Sequence, residues 1–274
     1  MQNWEKKESP ILSMLGFGGG GTGTALGGAG GSNLLVSGGN SYHEDSTYSW
    51  YVFTSPGNLV VAENGMGSTL EGLVCGGGGG GGAGGDGRNA TGGGGGGIAY
   101  FEVPANGFTA TTYPVTVGSP GDGAGGRGSN SFSGGNSVFS GAYSVTGNGG
   151  GRGADWDRGP QASPGGSGGG FDTSQYSPSS AGSGTQPGAN SSSPWVQQQW
   201  GNPGGGTYGG NPGFTGVPGG QHPDFQSTTA SALPPYYPNI GGNGPQYYAG
   251  RSGTQNPGGA GIVIVRTLKR TGPA

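Results

Sequence analysis

The side chains that carry most enzyme chemistry are sparse in this chain and poorly placed for it. His43 and His222 are the only histidines and fall in different segments, so no Ser/His/Asp or Cys/His arrangement assembles from them. His43-Glu44-Asp45 sets three possible metal ligands side by side, but adjacent polar residues next to a β-type run read as a solvated turn. Asp155-Trp156-Asp157 places an aromatic between two carboxylates, a pattern suited to a sugar or a calcium loop. The neighbouring Arg152 and Arg158 make local charge pairing the simpler reading. Cys75 is the one cysteine, which excludes an intramolecular disulfide framework and a multi-cysteine zinc site. Matches to GxGxxG are numerous, as the glycine content dictates, and none opens a helix in a βαβ unit. No Gly-Lys pair occurs, so the phosphate-binding loop is absent. The expectation is a non-enzymatic protein with no cofactor and no metal.

If side chains do little, the backbone must do more. The 274 residues include 75 Gly and 20 Pro, while Leu, Ile, Val and Phe together number 38, or 14%. That lies under the roughly 20% below which a chain seldom buries a conventional core. Disorder also calls for high net charge, and this chain carries a formal charge of only -3. Two outcomes remain: a solvated coil, or order built from backbone hydrogen bonds that offset the large entropy loss of glycine. With 10 Lys and Arg scattered singly or in pairs, no electrostatic footprint for nucleic acid forms. No stretch approaches the roughly 18 apolar residues of a membrane span, so no membrane insertion is expected. The run Ile11, Leu12, Met14 and Leu15 is too short and broken for a signal peptide, so secretion by a standard signal is not expected.

Composition divides the chain into an N-terminal anchor and Gly-rich arm (1–41), a glycine-rich β domain (42–267) and a short tail (268–274). The segment up to about residue 15 holds the one short helix expected, with Ser9 as N-cap, Pro10 in the first turn and Gly16 closing it. The rest of the arm reads as a loosely structured spacer. From Tyr48 to Thr54 a dense aromatic and β-branched run predicts a strand, ended by Ser55-Pro56-Gly57. Further strands are predicted at 58–62, 69–75, 98–103, 111–117, 143–146 and 262–265. Two of them abut glycine runs directly, at 76–82 and 92–97. A flexible linker is the plain reading of such runs. The alternative is a three-residue-per-turn helix whose amides point outward and are satisfied by parallel stacking of like helices, with any Cβ forbidden between neighbours. The strand at Ile262–Val265 favours the second, because a strand needs a sheet to join. The fold class expected is therefore mainly β and irregular, short strands combined with stacked polyglycine II-type helices and almost no α-helix.

Between 147 and 258 long Gly/Pro/Ser/Asn loops carry Trp195, Trp200, Tyr208, Phe214, Phe225, Tyr236, Tyr237, Tyr247 and Tyr248. Such aromatics in adaptable polar loops have the composition of binding loops, and filling gaps over the glycine layer is the equal alternative. Asn89-Ala90-Thr91 and Asn190-Ser191-Ser192 match glycosylation sequons, which read as coincidence.

Phe53-Thr54-Ser55-Pro56-Gly57, the strand running into seven glycines, Tyr-Pro-Val-Thr-Val-Gly at 113–118, Gly-Gly-Asn-Ser-Val-Phe-Ser at 134–140 and the closing Gly-Ala-Gly-Ile-Val-Ile-Val-Arg occur in one order. In that order they resemble the glycine-rich domain of bacteriophage tail fibre and receptor-binding proteins. The opening Ser-Pro-Ile-Leu-Ser-Met-Leu-Gly is similar to the N-termini of tail proteins from marine and cyanobacterial phages. The resemblance implies a virion protein of the tail fibre or tail tip whose stacked glycine helices carry loops to the host surface. It implies tail anchoring through Trp4, Ile11, Leu12, Met14 and Leu15, with other phage tail proteins as partners. Contact with a protein or glycan receptor would fall to Trp195, Trp200, Tyr208, Phe214, Tyr236, Tyr237, Tyr247 and Tyr248. Homo-oligomers, usually trimers, are common among fibres. A purely structural tail component, a connector or decoration without receptor contact, is the alternative.

Overall fold

A computed structural model describes residues 35–63, 69–83, 91–104, 107, 109–124, 129–155, 162–172, 181–186, 190–201, 206–207 and 257–269, all within the compact unit Ser32–Arg270. Thirteen strands follow in chain order: β1 Leu35–Gly38, β2 Ser41–Glu44, β3 Tyr48–Phe53, β4 Gly57–Glu63, β5 Leu70–Cys75, β6 Ile98–Val103 and β7 Thr111–Thr116, then β8 Ser137–Phe139, β9 Val145–Gly147, β10 Phe171–Asp172, β11 Val196–Trp200, β12 Gly206–Thr207 and β13 Ile262–Leu268. They form one sheet of order β1-β4-β7-β8-β9, a second of order β11-β6-β5-β13-β3-β2, and the small pair β10-β12. All pairings in the two large sheets are antiparallel. The mainly β class expected from the sequence is what the described residues form.

Period-two alternation explains the core. In β3, Tyr51 and Phe53 turn to one face and Trp50 and Val52 to the other, as residues in a strand must. The first set meets Leu59, Val61, Tyr113, Val115 and Phe139 of the facing sheet, with Phe101 and Phe139 stacked at 4.9 Å between ring centroids. Trp50, Val52, Leu73, Ile98, Tyr100 and Ile264 make a second buried cluster on the opposite face of the six-stranded sheet. The low aliphatic content is thus no bar to a core, since those residues are concentrated in the strands. The arm predicted at 16–41 is corrected in its last part: Leu35 to Gly38 pair with β4, and Gly38 and Gly39 turn the chain into β2 at φ +124° and +85°.

Glycine segments leave one end of this sandwich. The run 76–82 donates with a period of three: Gly76, Gly79 and Gly82 to the carbonyls of Gly97, Gly94 and Thr91; Gly77 and Gly80 to those of Gly135 and Phe132; Gly78 to that of Gly259. It accepts with the same period, from Gly150 and Gly153 on Gly77 and Gly80, and from Gly121 and Ala124 on Gly78 and Gly81. Five neighbouring segments therefore surround it. The purely parallel stacking expected is corrected: 118–124 and 147–154 run parallel to the central segment, whereas 91–97 and 132–135 run antiparallel. Mixed directions follow from connectivity, because β5 sends the chain out and β6 receives it back.

The registers give the domain a polarity. Cys75, Ile98, Thr116, Ser137, Gly147, Trp200 and Ile262 all lie at the sandwich end next to the glycine segments. Leu35 pairs with Glu63, and Leu268 with Tyr48, at the opposite end, so the strands through which the chain comes in and leaves share that far end.

A Cβ on Gly80 would collide with the carbonyl of Asp122, whereas one on Gly95 meets nothing within 4 Å. Gly80→Ala should lower stability by roughly 3 kcal/mol or more, and Gly95→Ala should stay within about 0.5 kcal/mol, measured by urea unfolding.

Candidate functional site

The outer end of the glycine layer is where the topology gathers the connections. Among the described residues, five segments run out towards it, as far as 83, 124, 155, 172 and 207, and five run back, from 91, 129, 162, 181 and 257. The described residues at this end are held by side chains as well as backbone. Asp155, fully buried, accepts hydrogen bonds from the amides of Ala83 (3.0 Å) and Ser131 (3.2 Å), and its Oδ2 accepts from the Ser131 hydroxyl at 3.0 Å. Arg152 Nη1 closes the set at 3.1 Å. One carboxylate thereby ties the ends of three segments together. Thr91 Oγ1 adds a bond of 2.7 Å to the carbonyl of Ala154. Of the chemistry suggested for Asp155-Trp156-Asp157, charge pairing with Arg152 is realised, while Trp156, Asp157 and Arg158 lie outside the described residues.

His43-Glu44-Asp45 is structural. Asp45 Oδ1 accepts from the amides of Thr47 (2.7 Å) and Tyr48 (2.6 Å) and its Oδ2 from the Trp50 indole (2.8 Å), which fixes the turn between β2 and β3. Partial burial pushes the Asp45 carboxyl up, but these donors outweigh it and leave it below the ordinary value of 3.8. Glu44 accepts from the Tyr42 hydroxyl and pairs with Lys269 at 3.0 Å, and that hydroxyl, more than the ammonium, holds its carboxyl low. Among the described residues no group of three or more His, Cys, Asp and Glu could hold a metal ion. Burial pushes the Cys75 thiol up to about 12, so it is no nucleophile at neutral pH.

Arg266 is the best-shielded cation among the described residues, 2% exposed. Its Nε donates to Glu71 at 2.7 Å, and its guanidinium carbon sits 4.2 Å from the Tyr48 ring centroid and 5.3 Å from that of Trp50. This pins β13 to β5 and β3 at the middle of the sheet.

The aromatics proposed for surface contact divide. Trp195 is 4% exposed, belongs to the core between the sheets and meets Tyr143 edge-on at 5.3 Å, so it neither faces the surface nor fills a gap over the glycine layer. Trp200 lies in β11 opposite Ile98. Tyr208, Phe214, Phe225, Tyr236, Tyr237, Tyr247 and Tyr248 lie outside the described residues, as do Trp4, Ile11, Leu12, Met14 and Leu15. Sequence reasoning missed the role of two amides. Asn190 bonds both the amide and the carbonyl of Thr146 at 2.7 Å, and Gln186 takes the amide of Asn148 (2.7 Å) and the same carbonyl (2.9 Å). Their carboxamides cover the edge of β9 as a further strand would. Asn190 is 5% exposed, which removes its sequon from use in the folded chain.

The family model for the glycine-rich domain matches residues 54–268, from just after β3 to the last residue of β13. The chain belongs to that family. The glycine-rich domain so defined includes the whole hydrogen-bonded glycine layer and leaves out β1 to β3, which complete its two sheets. A comparison with curated proteins returns no match.

Two outcomes test these assignments. Asp155→Ala removes the acceptor of four donors and should cost about 3 kcal/mol in urea unfolding, as breaking a buried pair does. Because the folded Asp45 carboxyl lies below its ordinary value, its contribution is complete above about pH 4 and is lost as pH falls through the lower folded value. Asp45→Asn should therefore flatten the fall in Tm between about pH 5 and pH 2.

Proposed function

We propose that the glycine-rich domain is a non-enzymatic display domain of a bacteriophage tail fibre or tail tip, an adhesin that carries variable connections to the host surface. The observation that supports this most is its polarity: the chain comes in and leaves at one end of the sandwich, and five connections converge at the far end of the glycine layer. An attached end and a presenting end are thereby separated by a rigid spacer. The glycine layer suits that job because its order rests on backbone bonds that do not depend on the loops' side chains. Loops on a rigid scaffold are where recognition is carried at least structural cost. The order of sequence segments that resembles tail-fibre proteins points the same way. In this reading residues 1–34 bind another tail protein, the receptor is a protein or glycan, and the protein works in the virion as a homo-oligomer.

Exchanging residues 208–256 between related phages should transfer host range while leaving particle assembly intact. Unchanged host range would favour the purely structural role.

A further inference from the structure

One surface of the glycine layer is built differently from the rest. Beside the central run, the segment 130–136 is exposed to solvent along one side and carries Phe132, 55% exposed. The main chain of Phe132 is spent inside the layer, its amide donating to Asp122 O and its carbonyl accepting from Gly80, both at 2.9 Å. The ring therefore contributes nothing to the bundle's hydrogen bonding and stands outside it. It lines an open cleft of about 510 Å³ together with Asn130, Ser131, Ser133 and Arg152. Ser163 sits at the margin, its hydroxyl 2.9 Å from that of Ser133 and 2.8 Å from the amide of Arg152.

The Arg152 side chain is 37% exposed, and among the described residues only its Nη1 is engaged by an acceptor, Asp155. The rest of the guanidinium fork can donate into the cleft. Among the described residues Arg152 and Asp155 form a formally neutral pair, so the lining brings no surplus positive charge to recruit an anion. What it offers is an aromatic face, a planar array of donors, a carboxamide and hydroxyls that both donate and accept. A ligand to match needs an apolar face edged by many hydroxyl groups.

We propose that this cleft on the flank of the glycine layer is a binding site for neutral pyranose saccharides. The Phe132 ring takes the C–H face of one sugar, while Arg152, Asn130 and Ser133 bond its hydroxyls. Its lining residues lie outside 208–256, the segment whose exchange tests the tail-adhesin reading, so the two stand or fall apart.

The test titrates the full chain, isotope-labelled, with maltotetraose and chitotetraose as neutral probes and tetragalacturonate as an acidic one, followed by amide chemical shifts. At least one neutral probe should give saturable shifts confined to 130–133, 152 and 163. Phe132→Ala should weaken that binding at least tenfold with Tm unchanged, because the ring is exposed. Arg152→Lys, which keeps the charge and loses the fork, should weaken it as well. The proposal is overturned if no neutral probe shifts these amides, if only the acidic probe binds, or if Phe132→Ala binds as the parent does.

Discussion

Backbones in the glycine layer approach one another to within a hydrogen bond on every side, and the rest of the molecule is arranged around that closeness. An N–H to carbonyl distance of 2.7 to 3.0 Å between the central run and its neighbours leaves no room for a Cβ. Each such bond is worth only about 1 kcal/mol net, and glycine loses more entropy on ordering than any other residue. The layer is thus marginal by itself and needs something to fix the height and direction of its segments. The sandwich supplies this. Its core of packed aromatic and β-branched side chains sets where 76–82, 118–124 and 147–154 begin.

Side-chain chemistry is used sparingly and at the places where backbone alone cannot close the structure. Asp155 gathers three segments at the outer end, Gln186 and Asn190 cover the free edge of β9, Asp45 fixes a turn, and Arg266 fixes the middle of a sheet. Each is a polar group whose bonds are met within the fold, as buried groups must be. Among the described residues, Asp45, Asp155 and Arg266 are in this sense structural rivets.

Much of this was legible in the sequence. Strands β3 to β7 and β13 stand out because alternating aromatic and β-branched residues end at Pro or Gly, and β6 falls at its predicted bounds. The abrupt junctions at Cys75-Gly76 and Gly97-Ile98 gave away the link between strand and layer. What stayed hidden depends on distant partners. β1 is four residues long and joins its sheet only through pairing with β4, and β11, with three glutamines, has no apolar pattern to betray it. Asn190 and Gln186 look like loop polars until Thr146 is placed beside them. Trp195 reads as a loop aromatic until the two sheets close over it.

The period of three also governs how such a domain can change length. Adding one residue to a glycine segment would turn its donors by a third of a revolution and aim them at the wrong neighbours, whereas adding three restores every direction. Growth is therefore quantised, and each outgoing gain must be matched by an equal gain on the way back if the following strand is to keep its register. Connections at the outer end escape this rule. The architecture confines drift in length to its periphery and holds its interior to whole turns.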